Sequence, residues 1–403
     1  MSSADLLNTA LAQPIDRRAF LALTSLVLAG CSSESSPRLA SPAAPLARGP
    51  QVAQVGETSA VVAWRSIDPA LGVIEFGETE AYSGGIALPV PTTEHVVTLP
   101  GLRPGVPSRY RLRLGGEIVS EGHVFRTLDP AAPLRYAVFG DSGAPTWEQQ
   151  AIARGIQAAA PDLVLHTGDV IYEDGALEEL DPSYFLPFAD LIDHIPFYPA
   201  LGNHDVRTAG GRALLDALYL PTNDANFTER FYSFDCSDAH FVALNSNEDL
   251  SPGSLQHTWL ERDLAAATRR WTFVTFHHPL YSSSMHGSDL TLRAALAPLF
   301  ERYGVDVVFN GHDHNYERSL PHAGDAVVSA ADEPDHVDPA GPVYIVTGAG
   351  GKSLHVSGAN YHTAYSESVF HHVEVELQGT SLALWAVRTD GTVMDRMTIT
   401  KTA

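Results

Sequence analysis

Two patterns of apolar and polar positions divide the chain. From about Gln51 to Thr127 short alternating runs are cut by tight turns. Val61-Val62-Ala63-Trp64 and Gly72-Val73-Ile74-Glu75-Phe76 read as short strands, and Arg109 to Leu114 alternates strictly, one face apolar and one basic. Gly84-Gly85, Pro100-Gly101, Pro104-Gly105 and Gly115-Gly116 punctuate them. This predicts an all-β domain over 51–128 with Trp64 in its core, then a linker, Asp129 to Pro133. From Leu134 unbroken apolar runs, the mark of strands buried on both faces, alternate with helical periodicity. Strands are expected at Arg135–Phe139, Asp162–Thr167, Phe197–Ala200, Trp271–Phe276 and Val305–Phe309, with a hairpin from Phe231–Phe234 and His240–Leu244. Helices are expected at Glu148–Ala160, Tyr184–Asp193, Leu255–Ala266 and Leu290–Arg302. Pro342–Thr347, Phe370–Leu377 and Leu382–Val387 read as further strands that complete a second sheet, making 134–403 an α/β domain.

Five of these strands run into polar clusters: Asp141-Ser142-Gly143, Gly168-Asp169-Val170-Ile171-Tyr172, Gly202-Asn203-His204-Asp205, His277-His278 and Gly311-His312-Asp313-His314. Glycine allows the tight turn that aims the next side chain. Asp169 falls just past a strand's carboxyl end, where open α/β sheets bind ligands, and its two oxygens can bridge two ions. Oxygens and imidazoles without a thiolate suit first-row transition ions. Each residue also has an ordinary role open to it. Asp141 could cap a helix, Tyr172 could pack, His278 could support or fill, and His240 and His371 could be core or surface.

The ordered set resembles the metallophosphoesterase superfamily and, through the position of Tyr172, the purple acid phosphatases. Gly311 to Arg318 is similar to the extended family signature, and His286 lies nine residues after His277, where the family keeps a phosphate-facing histidine. The resemblance covers Leu134 to the C-terminus, and 51–128 resembles a fibronectin type III sandwich. It implies a four-layer αββα sandwich of two mixed sheets. Asp141, Asp169, Tyr172 and His314 would hold Fe(III). Asp169, Asn203, His277 and His312 would hold a divalent Fe, Zn or Mn. Hydroxide held by the metals would attack phosphorus in line, with His204 and His286 contacting phosphate and leaving oxygens. The implied activity is phosphomonoester hydrolysis of the acid phosphatase type on a small phosphate ester. The same motifs would serve a phosphodiesterase or nucleotidase. A surface binding protein with a decayed site is the reading from another class, and the full set of seven ligands stands against it. Two features depart from the family: an acidic loop, Pro321 to Pro342, read as a solvated insertion rather than a lid, and Asp205 where many plant relatives have Glu, expected to matter little.

Charge narrows the ligands. Lys plus Arg is 25 and Asp plus Glu is 48, so 25 − 48 leaves −23 on 403 residues, with no basic run. Such a chain repels polyanions, which disfavours nucleic acid. Residues 1–31 read as a signal peptide. Arg17-Arg18-Ala19-Phe20-Leu21 resembles a bacterial Tat signal and Leu28-Ala29-Gly30-Cys31 a lipobox. This implies export and a lipid on Cys31 as the sole membrane attachment, in the periplasm or at the cell surface, with 32–50 a flexible tether. With Cys31 lipidated, Cys236 has no disulfide partner and is expected to be a buried thiol.

Overall fold

The computed structural model describes residues 46–223, 228–324, 326–328 and 334–402. The signal peptide, Cys31 and most of the tether lie outside them. The N-terminal domain is a β-sandwich of β1 (Leu46–Ala53), β2 (Ser59–Ala70), β3 (Gly72–Gly77), β4 (Gly84–Ala87), β5 (Thr92–Pro100), β6 (Pro107–Leu114) and β7 (Glu117–Arg126). One antiparallel sheet runs β1-β2-β5, the other β4-β3-β6-β7. On β6, Ser108, Tyr110, Leu112 and Leu114 are buried, while Arg111 and Arg113 turn outward to Glu75. Trp64 is buried and stacks on His95 at 5.0 Å.

The tether is shorter than expected, because residues 46–50 are already strand. Gly49-Pro50 breaks their alternation and hides them in the sequence. What fixes them is docking: Arg48 Nε donates to Asp181 Oδ1 at 2.6 Å and its guanidinium lies 4.5 Å from the centroid of Phe185. Gln51 Nε2 donates to Ala217 O at 2.6 Å and the Tyr110 hydroxyl to Asp193 O at 2.6 Å, so the two domains share buried polar contacts.

The second domain stacks two seven-stranded mixed sheets. Its strands are β8 (Leu134–Phe139), β9 (Leu163–His166), β10 (Phe197–Pro199), β11 (Tyr232–Cys236), β12 (Ala239–Ala243), β13 (Trp271–Thr275), β14 (Val307–Asn310), β15 (Tyr316–Ser319), β16 (His322–Ala323), β17 (Ala326–Val327), β18 (Asp335–Val337), β19 (Val343–Thr347), β20 (Thr363–Glu367), β21 (His371–Gln378), β22 (Ser381–Arg388) and β23 (Val393–Thr400). The sheets run β10-β9-β8-β21-β22-β23-β18 and β11-β12-β13-β14-β19-β15-β20. Three long helices cover them: α1 (Trp147–Ala159), α2 (Leu255–Ala266) and α3 (Leu290–Arg302). Unbroken apolar strands follow from this layering. Tyr136 on β8 meets Phe241 and Phe273 edge-on between the sheets at 5.3 and 5.4 Å, while Val242, Val274 and Val308 face Leu260 of α2 and Leu296 and Phe300 of α3. Ile152 and Ile156 of α1 are buried over the other sheet. The layers are helix, sheet, sheet, helix.

Three expectations need correction. The helix over 184–193 is instead a π-turn, Asp181–Phe185, and a short helix, Ala189–Ile192. Pro187 between them lacks an N–H and crowds the preceding turn. β21 and β22 pair antiparallel beside β8, so they complete the sheet that β8 begins. The acidic segment is a solvated insertion only in part where it is described: Asp335 and Asp338 are exposed, but His322 and His336 are buried and β18 pairs in parallel with β23 at the sheet edge. Asp325, Asp332 and Glu333 lie outside the described residues. Cys236 is a buried free thiol, and burial pushes its pKa up. Among the described residues no helix is long and apolar enough to cross a membrane.

Candidate metal centre

β8, β9 and β10 are parallel in one sheet and β13, β14 and β19 in the other, and the loops leaving these six strands converge. Three of the converging residues, Asp141 (φ 55°), Asp169 (φ 57°) and His312 (φ 69°), hold left-handed backbone. For residues with a Cβ that conformation costs on the order of 1 kcal/mol each and concentrates at functional sites. Glycines make room: a Cβ on Gly202 would strike the Asp169 carboxylate, and one on Gly311 or Gly348 the Asp141 carboxylate.

The seven sequence-predicted ligands come together. The Tyr172 hydroxyl donates to Asp141 Oδ1 at 3.1 Å and lies 3.4 Å from His314 Nε2. His314 Nε2 is 3.4 Å from Asp141 Oδ1. Asn203 Oδ1 is 2.9 Å from both His277 Nε2 and His312 Nδ1, and His277 Nε2 is 3.4 Å from Asp169 Oδ2. Asp141, Asp169 and His277 are buried and their ligand atoms lie within 4.8 Å of one another.

The donor set fits cations. His277 Nδ1 donates to Thr167 O at 3.0 Å, and burial, helped by His278, holds this imidazole well below its ordinary pKa. Its Nε2 is therefore a lone pair, and it faces Asn203 Oδ1 and a carboxylate oxygen, both acceptors. Acceptors packed against acceptors repel unless a cation sits among them. His314 Nδ1 likewise donates to Ser353 O at 2.7 Å, turning Nε2 toward Asp141. Burial and the rings of His277, His278 and His286 push His312 down to about 2, favouring the neutral ligating form. Burial pushes Asp141 up to about 7, against the pull of His314, and burial with the charges of Asp141 and Asp169 pushes Tyr172 well up. A phenolate at Tyr172 thus requires a strong cation beside it.

The two histidines expected on phosphate differ. The His286 ring lies over His312, centroids 4.2 Å apart, on an exposed loop whose amide is held by Asp313 Oδ1 at 2.9 Å. His204 presents its ring to Tyr172 at 4.3 Å, and both its nitrogens are engaged: Nδ1 donates to Glu173 O at 2.6 Å and Nε2 accepts from Arg207 at 3.2 Å. Here it does not offer a nitrogen to phosphate. His278 lies behind, its Nδ1 2.8 Å from Ser246 Oγ and its ring 4.6 Å from His312.

Several residues the sequence did not single out shape the centre. Buried His166 joins the first two loops: Nδ1 accepts from Gly168 N at 3.2 Å, which leaves the ring proton on Nε2 to donate to Ser142 Oγ at 2.8 Å, and burial pushes its pKa down to about 3. Asp205 matters more than expected, since its two oxygens accept from Ile171 N and Gly202 N, each at 2.8 Å, locking the second and third loops. Asp313 takes Ser282 Oγ at 2.5 Å and Gly287 N at 3.2 Å. The loop after β19, legible only as a glycine turn, supplies Lys352, Ser353 and His355. His355 Nδ1 accepts from His314 N at 3.1 Å.

Paired mixed sheets with this cluster at their strand ends define a metallophosphoesterase domain. Residues 134–316 match the calcineurin-like phosphoesterase family. Its relatives carry the narrower likeness. The chain is 31% identical over 296 residues to purple acid phosphatase 15 of Arabidopsis thaliana, covering 64% of this chain and 53% of that protein. It is 30% identical over 294 residues to acid phosphatase type 7 of Homo sapiens, covering 64% of each. The chain spans about half to two thirds of the length of the first curated relatives it matches. Among solved structures, a purple acid phosphatase from yellow lupin (Lupinus luteus) seeds superposes with a TM-score of 0.77 at 21% identity, covering 87% of this chain and 74% of that one. PhoD superposes at 0.64 with 15% identity and 90% coverage of each. These two likenesses establish the fold, including the β-rich N-terminal region.

Proposed function

We propose that the chain is a dinuclear metal-dependent phosphomonoesterase of the acid phosphatase type. The observation that carries this reading is the convergence at His277: its Nε2, left without a proton by the bond from Nδ1 to Thr167 O, faces Asn203 Oδ1 and Asp169 Oδ2. Asp141, Asp169, Tyr172 and His314 would hold one ion, taken as Fe(III), and Asp169, Asn203, His277 and His312 a divalent Fe, Zn or Mn. Such a pair lowers the pKa of water and neutralises phosphoryl charge. The protein's share is to fix the donors. Thr167 O and Ser353 O set the tautomers of His277 and His314, and Asp205 sets the spacing of Asp169 and Asn203. His286, exposed beside His312, donates a proton to the leaving oxygen, and His204, after giving up Arg207 and taking a proton on Nε2, donates to a phosphate oxygen. Purified protein assayed on an aryl phosphate monoester and its alkyl diester tests this. Monoester turnover abolished in Asp169→Asn is expected, and diester turnover alone would make the protein a phosphodiesterase. Export and a lipid on Cys31 rest on Arg17-Arg18 and Leu28 to Cys31. Mass spectrometry of the mature N-terminus should show a diacylglycerol on Cys31, absent in Cys31→Ala.

A further inference from the structure

The chain has two lysines, Lys352 and Lys401, so every other fixed cation is an arginine. One of the two stands at the metal centre. Lys352 lies on the loop after β19, where its amide donates to Asp141 O at 3.0 Å and the next residue's carbonyl holds His314. The backbone of this loop is thus tied to two candidate ligands, and its lysine is carried along at a fixed place. The Lys352 ammonium lies 4.5 Å from the centroid of the Tyr172 ring and is paired with Glu173. Its side chain is 23% exposed against 61% for Glu173, so the ammonium is half sheltered while its partner is in solvent. An ion pair with one solvated partner is worth little and exchanges readily for a better anion.

Resting on the phosphoesterase reading, we propose that Lys352 is a substrate-binding residue. It leaves Glu173 to bind an oxygen of a dianionic phosphate, and so sets the site's preference for monoesters over diesters. A compact ammonium binds phosphate as a point charge. A monoester carries about two negative charges near pH 7, whereas a diester carries one. A cation at the mouth, apart from the ions, favours the second charge.

Calorimetric titration of inorganic phosphate into metal-loaded wild type, Lys352→Met and Lys352→Arg tests this, together with kcat/KM for a mono- and a diester. The expected result is phosphate binding weakened about tenfold or more in Lys352→Met, a charge-assisted hydrogen bond being lost. Monoester kcat/KM falls by a similar factor, diester kcat/KM changes far less, and Lys352→Arg restores part of the loss. Unchanged phosphate affinity with both ions retained overturns the proposal, as does equal loss on both esters. Loss of the ions in Lys352→Met and Lys352→Arg alike also overturns it, since the residue would then only hold the loop. If wild type binds phosphate through Lys352 yet hydrolyses neither ester, the phosphoesterase reading fails and phosphate binding by Lys352 stands.

Discussion

Asp205→Asn tests whether the loops of the centre are held together by one buried carboxylate. Asp205 is fully buried, with one oxygen on Ile171 N and the other on Gly202 N. An amide keeps the shape but offers one oxygen. Whichever way it is turned, its NH2 group faces one of those backbone N–H groups. An unmet buried donor costs about 1–3 kcal/mol, and the surviving bond loses its charge assistance, roughly 1 kcal/mol more. The metal-loaded variant should therefore lose about 2–4 kcal/mol, a sizeable part of a domain's 5–15 kcal/mol. The metal-free protein should respond differently. There Asp205 is a carboxylate buried beside Asp169, and burial with that charge pushes its pKa well up. Neutralising it relieves the repulsion, so the loss should shrink or reverse. Denaturant titration with and without metal, read alongside the rate of ion loss to a chelator, measures both. A metal-loaded variant within about 0.5 kcal/mol of wild type, releasing its ions at the wild-type rate, would refute the locking role.

Gly311→Ala should drive a methyl into the Asp141 carboxylate, with a cost of about 1–3 kcal/mol from overpacking and ion content cut by more than half on elemental analysis. His240 supplies a pH signature far from the metals. Burial lowers its pKa, but Asp263 at 2.9 Å and Asp235 at 2.8 Å outweigh this and raise it above 6.5. The folded state then binds the extra proton, so this contribution is complete below pH 6.5 and is lost as pH rises through the folded value. His240→Gln should flatten that slope in denaturation midpoints taken at successive pH values. Replacing Arg48 by Ala should expose the strand that begins at Leu46 to protease faster than any cut within the second domain, since Arg48 holds it to Asp181 and Phe185.

How much was legible followed from how each residue announces itself. The five clusters stood out because strands buried on both faces are unbroken apolar runs, and a glycine with a ligand-type side chain after such a run has few other uses. The two-domain division was legible from the change of period at Leu134. Supporting residues were hidden. His166 closes a strand like any buried side chain, Asp205 showed only as a departure from relatives, and Ser353 contributes a carbonyl, which has no sequence signature. Lys352 was hidden for another reason: an ammonium is not a metal ligand, and its closeness to Tyr172 comes from pairing in another sheet. Local signals misled at Gly49-Pro50, where docking outweighs turn chemistry, and around Pro187, where one proline divides an amphipathic run. The acidic segment read as solvated because its charges were visible and its pairing with the last strand was not.

The central claim is that these donors bind two ions. Elemental analysis of the purified protein, with a visible spectrum of the same sample, tests it most directly. Two ions per chain are expected, iron among them, with a tyrosinate-to-iron charge-transfer band that vanishes in Tyr172→Phe, and loss of ions in Asp169→Asn. A protein that binds no metal, or that binds it equally well without Asp169, would contradict it.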